Sequence, residues 1–491
     1  MPEKPVLAPP TVVFPHRSRR GILYGLSLPQ LLLVSGALAL LLVAVLTTGL
    51  PGAMALSPVW AATVVLVTVR RSGRSLIDWA PLAARYAVRR RTGQDRWLAR
   101  PLSRPRLDGL LHLPGTAASL RVLSPGGPDG QAAALHDPHQ QTLTAVARVT
   151  SRGYALLDPA TQHAHVAGWG RALAATARAS SRVTAVQVLE RTVPDATGDA
   201  VARHWASHGL PDSPTAGIYA DLVAAAGPAA APHETYLAVG IDLKAAKRRI
   251  RQAGGADGAF ALLRQSTSAI TQSAHEAGLT VTGWLTASEI AGVIRTAYDP
   301  ASHATLQQQS ANSNAVTAPS AAGPVTVIEE GDRLATDTAR HAVFWVENWP
   351  RTETNAAFLH ALMFTGGVRR SLSLIYTPQD LEAAFRDVRR AKAGALADAT
   401  ERARRGQVAA EADTIEYQDA VSRERQLIAG HGSVALTGLL TVSATSDTEL
   451  DAACTQIQTA AVTAQIDLRR LTYQQGEAFV AAALPLARTV L

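Results

Sequence analysis

At 491 residues the chain is long enough for a membrane segment plus two ordinary domains. Its single cysteine, Cys454, excludes an internal disulfide framework and a multi-cysteine zinc site. The net charge of +8 and a pI near 9.9 invite a nucleic-acid reading, but the excess is local. Residues 1–108 carry 15 Lys or Arg against 4 Asp or Glu, a net of +11, and the remainder carries 32 against 35, a net of −3. Direct nucleic-acid binding is therefore not indicated.

The first 20 residues read as a cytoplasmic tail, and residues 21–74 as a transmembrane hairpin. Gly21 to Val69 contains no Asp, Glu, Lys or Arg, and is fenced by Arg17, Arg19 and Arg20 before it and Arg70, Arg71 and Arg74 after it. Leu28 to Leu46 is long enough as a helix to cross most of a hydrocarbon core of about 30 Å. Ala53 to Val69 is shorter and needs help from its flanks. The Thr47 to Gly52 connection supplies the Gly and Pro of a tight turn. Arginine on both outer flanks and no charge in the connection place both ends in the cytoplasm. A cleavable secretory signal is the competing reading, and a second apolar run directly after the first argues against it.

Residues 75–108 form a basic juxtamembrane segment. Its arginines (Arg85, Arg89, Arg90, Arg91, Arg96, Arg100, Arg104, Arg106) are spaced to meet anionic headgroups, each worth about 1 kcal/mol near the surface. Leu76, Ile77, Leu82 and Tyr86 interleave with Trp79, an aromatic anchor, so Ser75 to Arg91 reads as an interfacial helix. Membrane lipids are thus the first expected partner.

The remainder reads as α+β: a unit at 109–306, a flexible linker at 307–323 and a second unit at 324–491. In the first, strands at Gln141–Val149, Tyr154–Leu157, Arg182–Arg191 and Tyr236–Ile241 are expected. Helices are expected at Val166–Ala179, Ala196–Ser207, Pro214–Ala226, Ala256–Ala277 and Thr286–Tyr298. The second unit runs strand Ala342–Val346, helix Glu353–Phe364 and strand Arg370–Tyr376. A charged helical hairpin turning near Gly406, strand Val434–Val442 and helix Thr448–Ala464 follow. Both units share one order of elements, and in both a T-x-P-D or T-P-x-D turn opens the helical pair (Thr192 to Asp195, Thr377 to Asp380). That order points to two similar units related by internal duplication.

No catalytic signature emerges. There is no G-x-x-x-x-G-K-[ST], so the backbone cradle and lysine that hold nucleotide phosphates are missing. Gly430-His431-Gly432-Ser433-Val434-Ala435 fits a dinucleotide fingerprint by letter only. It lies between a helix and a strand rather than the reverse, so Gly430 reads as a helix C-cap. The pairs His136/His139 and His163/His165 lack a third ligand, and His233 and His275 lack the later histidine of H-E-x-x-H. The sequence predicts no enzyme, no cofactor and no metal. Trp345, Trp349, Pro350 and Arg351 form the densest aromatic patch, a candidate partner-binding edge or the underside of the following helix.

Taken together, the chain resembles actinobacterial membrane proteins of conjugative elements. Arg20-Gly21-Ile22-Leu23-Tyr24-Gly25-Leu26-Ser27-Leu28-Pro29-Gln30 resembles the start of the hairpin in PrgI-type proteins of type IV secretion. Arg295 to Pro300, Trp345 to Arg351, Glu424 to Gly430 and Ala478 to Leu486 are similar in order to the N-terminal, non-ATPase domain of the Vir/Trb/Cag-type conjugation ATPase. In that family the ATPase domain follows such a region, whereas this sequence stops at Leu491. The resemblance therefore implies a membrane platform in an oligomeric assembly, with a separate ATPase subunit and other secretion-system membrane subunits as partners. The EccE-type membrane subunit of type VII secretion is similar in layout and gives the alternative; a membrane-bound enzyme of unfamiliar type is the alternative from another class.

Overall fold

The computed structural model describes residues 8–14, 28–71, 74–99, 109–125, 132–151, 153–178, 180–192, 213, 215–226, 233–311, 317–404 and 411–490. The chain divides into two compact units, His16–Asp95 and a larger one made of Met1–Pro15 together with Arg96–Leu491.

Chain order begins with β1 (Thr11–Val12), which belongs to the larger unit. The smaller unit holds α1 (Leu28–Thr48), α2 (Leu50–Ala55), α3 (Ser57–Thr68), a β2–β3 ladder (Arg70–Arg71 with Arg74–Ser75) and α4 (Leu76–Arg91). Among the described residues one helix, over Gln30–Thr48, is long and apolar enough to cross a membrane. Gly49 ends it at φ 68°, a left-handed conformation that only glycine adopts without strain. The chain then reverses, and α3 packs back against α1. The expected second span is broken after Ala55, because Pro58 has no N–H to donate, so α3 by itself is only 12 residues, about 18 Å. Leu56 still keeps α-region dihedrals, and the Leu56 N–H to Gly52 and Trp60 N–H to Leu56 bonds carry the helical path across the break. The Thr47, Thr48, Thr63 and Thr68 hydroxyls each donate to the carbonyl four residues back, which satisfies them on these apolar helices.

The larger unit is mixed α+β. Its first half contains β4 (Arg96–Leu98), β5 (Arg121–Leu123), β6 (Ala134–Asp137), β7 (Thr142–Ser151), α5 (Pro159–Thr176), β8 (Val183–Thr192), α6 (Ala216–Ala226) and β9 (His233–Asp242). Next come α7 (Lys247–Gln252), α8 (Ala256–Glu276), β10 (Leu279–Trp284), α9 (Ala287–Tyr298) and α10 (Ser302–Ala311). The second half contains β11 (Thr326–Glu329), β12 (Leu334–Thr336), β13 (Arg340–Asn348), β14 (Thr354–Asn355), α11 (His360–Met363) and β15 (Arg369–Pro378). It closes with α12 (Leu381–Arg404), α13 (Glu411–Ile428), β16 (Val434–Ala444), α14 (Asp447–Thr463), β17 (Asp467–Arg470) and α15 (Gln475–Ala483).

A single 13-stranded sheet runs through both halves, ordered β4-β11-β12-β13-β16-β15-β8-β9-β7-β6-β5, with β10 beside β7 and β17 beside β13. Within it the first half pairs as β8-β9-β7-β10 and the second as β15-β16-β13-β17. Each is second, third, first, fourth in chain order, the order of a split βαβ sheet. The halves join where β8 and β15 pair antiparallel, from Arg191↔Ser371 to Val186↔Tyr376.

Strand alternation sends side chains to two covered faces. On one, Val343, Leu439, Ile375, Leu189, Tyr236 and Val146 meet α9 and α15 in a core drawn from both halves. On the other, α14 covers Phe344, Leu440 and Val442, while α8 and Trp169 of α5 cover Val149, Leu237 and Val239. The ends of α9 and α15 each lead to contacts with the other half. From α9, the Tyr298 carbonyl accepts from Thr336 Oγ1 (2.6 Å) and Arg295 bridges Asp337 (3.0 Å). Beyond α15, Arg488 pairs with Asp137 (3.1 Å) and donates to Thr116 Oγ1 (2.7 Å).

Several expectations are corrected. The linker at 307–323 does not separate two bodies: α10 enters it, Ala322 is fully buried, and the Gly323 carbonyl accepts from Arg295 (2.8 Å). Tyr154–Leu157 is no strand but a 3-10 turn over Tyr154–Leu156, because Asp158 caps a helix that already starts at Pro159. The helix expected over Glu353–Phe364 shrinks to His360–Met363, because Thr354–Asn355 pair with β1 and the Asn355 side chain accepts from the Ala357 N–H (2.8 Å). The helix at Ala196–Ser207 and the turn at Gly406 lie outside the described residues.

At the seam, the fully buried Gln187 side chain donates to Ser373 Oγ (2.7 Å) and the Leu484 carbonyl (3.0 Å) and accepts from the Ala487 N–H (2.6 Å). Gln187→Ala orphans these groups, each at about 1–3 kcal/mol, so a loss on the order of 3 kcal/mol is expected in urea unfolding of the full chain in detergent.

Candidate functional site

Three places carry the residues that the sequence singles out or the fold brings together. The first is the apolar unit. Leu32, Leu38, Leu40, Leu42 and Leu46 on α1 are each more than half exposed, a continuous apolar surface of the kind a soluble fold buries. Of its basic fence, Arg17, Arg19 and Arg20 lie outside the described residues, and the Arg70, Arg71 and Arg74 backbones form the β2–β3 ladder. Trp79 lies half-buried in the first turns of α4, where Ser75 Oγ donates to Asp78 (2.8 Å). Arg89, Arg90 and Arg91 occupy its last turn, where the helix dipole favours cations.

The second is the aromatic patch. Trp345 is half-buried, with the Arg469 guanidinium 4.8 Å over its ring. Trp349 stacks on Phe14 (centroids 5.1 Å, 17° between planes), and Phe358 meets both edge-on, at 5.4 Å from Phe14 and 6.3 Å from Trp349. Pro350 is buried and Arg351 exposed. The surface of Trp349 is therefore taken up by the chain's own N-terminal strap. That strap is held by β1–β14 pairing, by the Ala356 N–H donating to the Pro10 carbonyl (3.0 Å), by Thr11 Oγ1 donating to Glu353, and by His163 Nε2 at 3.0 Å from the Ala8 carbonyl. Phe14 lies 335 residues from Trp349, and nothing in the local pattern of either signals the other.

The third is a polar end of the sheet that the sequence reading does not single out. Arg191 donates twice to Glu234 Oε2 (2.7 and 2.9 Å) and once each to Thr296 Oγ1 (2.9 Å) and the Val293 carbonyl (3.0 Å), and the Tyr236 hydroxyl donates to the same carboxylate (2.9 Å). Burial, the largest influence, would raise the Glu234 carboxyl, but Arg191, the Tyr236 hydroxyl and Arg148 together hold the group below the usual range. Nearby His341 is fully buried, 2.9 Å from Thr336 Oγ1 and 2.7 Å from Ser443 Oγ, and burial pushes its pKa down to about 3.

Among the described residues no group of three or more His, Cys, Asp or Glu is placed to hold a metal ion. The histidines the sequence raised sit apart: His136 on β6, His163 and His165 on α5, His233 on β9 against Glu190, and His275 on α8. No protein-family model matches the chain, and no curated protein matches it.

His341 makes stability pH-dependent. Its folded pKa is depressed, so below about pH 6.5 the unfolded chain binds a proton that the folded chain refuses down to about pH 3. Its contribution is complete above pH 6.5 and falls by about 1.4 kcal/mol per unit as pH drops through that window. Urea midpoints of the full chain from pH 7 to pH 4 are expected to fall less steeply in His341→Gln than in the natural protein.

Proposed function

We propose that the protein is a non-enzymatic membrane platform, anchored by a two-helix hairpin with both ends in the cytoplasm, onto which a separate motor subunit docks. One observation carries the anchoring. Residues 8–14 and residues 96–491 belong to one folded unit, while the apolar segment lies between them in sequence. A folded unit occupies one side of a bilayer, so the chain between its two parts crosses an even number of times. If α1 spans, Leu50–Thr68 must return, and its 19 residues of nearly continuous helix have a length of about 28 Å.

The matching strand orders of the two halves, and the reciprocal reach of α9 and α15, support reading the body as a diverged internal duplication. The absence of a phosphate loop from the sequence and the resemblance to the non-ATPase region of conjugation ATPases favour a type IV-like secretion system and a separate ATPase subunit as partner. The type VII layout remains the second reading, since it shares the hairpin-then-α+β arrangement.

Two measurements test this. A cytoplasm-dependent reporter fused at Leu491 and a periplasm-dependent reporter inserted at Gly49 are both expected to be active; silence at Leu491 overturns the topology. Affinity purification of the full chain from native membranes is expected to recover a conjugation-type ATPase, and recovery of type VII core subunits transfers the assignment. Phe14→Ala removes the stacked ring and is expected to make the N-terminal tail more susceptible to limited proteolysis by roughly tenfold, the equivalent of about 1.4 kcal/mol of aromatic contact.

A further inference from the structure

On the sheet face covered by α9 and α15, side chains of neighbouring strands stand in rows. One row runs Glu234, Arg191, Ser371, Thr441, and the next same-face row brings Arg369 beside Ser443 and His341. Arg191 spends its donors on Glu234, Thr296 and the Val293 carbonyl, and Arg148 lies 4.0 Å from the same carboxylate. Asp299, the acidic group that faces Arg369, is committed to Arg295 at 2.7 Å.

Arg369 differs from its neighbours. Among the described residues its guanidinium makes no ion pair or hydrogen bond, and its Nε is sealed from solvent. Thr441, 1% exposed, has a hydroxyl with no partner either. His303, 7% exposed, closes the site from α10: burial lowers its pKa first, Glu234 opposes, and Arg191, Arg369 and Arg148 add to the lowering. Arg148 and Arg191 thus share Glu234, Arg295 is shared by Asp299 and Asp337, and of these guanidiniums Arg369 is the one without a partner among the described residues. A guanidinium withdrawn from water without a counter-charge destabilises the fold, whereas a planar fork of donors meeting an oxyanion recovers that loss.

We propose that Arg369, flanked by Thr441 and His303, binds an oxyanion of the phosphate class, supplied as free phosphate or as a small phosphate monoester. The guanidinium takes two oxygens, the Thr441 hydroxyl donates to a third, and the anion supplies the counter-charge that Arg369 lacks. This site is independent of the docking reading, because it requires neither the membrane nor a motor subunit.

The test uses the full chain in detergent, with thermal unfolding followed by tryptophan fluorescence in sodium phosphate and in sodium chloride of matched ionic strength. The midpoint is expected to climb with the logarithm of phosphate concentration and to stay flat in chloride. Arg369→Met is expected to unfold no earlier than the natural protein in chloride and to lose the phosphate response. A natural protein that responds alike to both salts overturns the proposal, as does an Arg369→Met variant that keeps the response or is much less stable in chloride. Should that variant fail to fold, Thr441→Val serves: it is expected to keep its chloride midpoint and need several-fold more phosphate for the same shift, and an unchanged response overturns the proposal. Reconstitution in phosphatidylcholine vesicles with and without phosphatidic acid separates the sources. A shift from the lipid and none from free phosphate rejects the soluble ligand in favour of a headgroup.

Discussion

The pairing of β8 with β15 is the constraint on which the body depends. Each half ends its four-stranded pattern on an open edge, and an open edge presents a row of unpaired backbone groups that a folded protein must cover. Here the two edges cover each other. Once they do, one face of the joined sheet becomes a single floor, apolar at its centre and polar at one end. It is roofed by α9 from the first half and by α15 with its tail from the second. Gln187 and Ser373 sit fully buried where the halves meet, with every donor of the Gln187 amide tied to Ser373 or to the tail. A buried polar group of this kind fixes register, because sliding β15 by one residue would leave the amide facing hydrocarbon.

How much of this was legible in the sequence follows from the range of the interactions involved. Strands β7, β8, β9, β13, β15 and β16 and helices α8, α9, α12, α13 and α14 announce themselves through local periodicity, and the repeated order of elements is visible as well. The joining of halves is not, since nothing within Val183–Thr192 or Arg369–Pro378 specifies which edge each strand meets. Residues 307–323 look like a linker by composition, yet small residues such as Ala322 and Gly323 are there because backbone packs tightly: a side chain at Gly323 would meet the His112 carbonyl at 2.2 Å. The short strands β10, β11, β12 and β17 were missed, being only three to six residues long with no turn signal of their own.

The candidate sites divide along the same line. The apolar segment is legible because apolarity over about 20 residues needs no partner to be recognised. The aromatic patch was legible as a cluster but not in its role, since a tryptophan that greets a partner and one that stacks on the chain's own Phe14 have the same local sequence. The polar end of the sheet was invisible, because Arg191, Glu234, Arg369 and Thr441 come from four strands and are adjacent only after the sheet has formed.

The strap alters what the proposed hairpin means. A body attached to a bilayer by one flexible tether can swing freely about it. Here Met1–Pro15 and Arg96–Leu491 belong to one unit, so the body precedes the apolar segment in sequence as well as following it. On the proposed reading, two covalent attachments leave a body fewer ways to swing than one, by the same loop-closure entropy that a crosslink removes. For a protein whose proposed task is to present a surface to a motor, the restriction matters more than the anchoring. It narrows the orientations a docking partner must search, which raises the productive fraction of encounters without strengthening any contact.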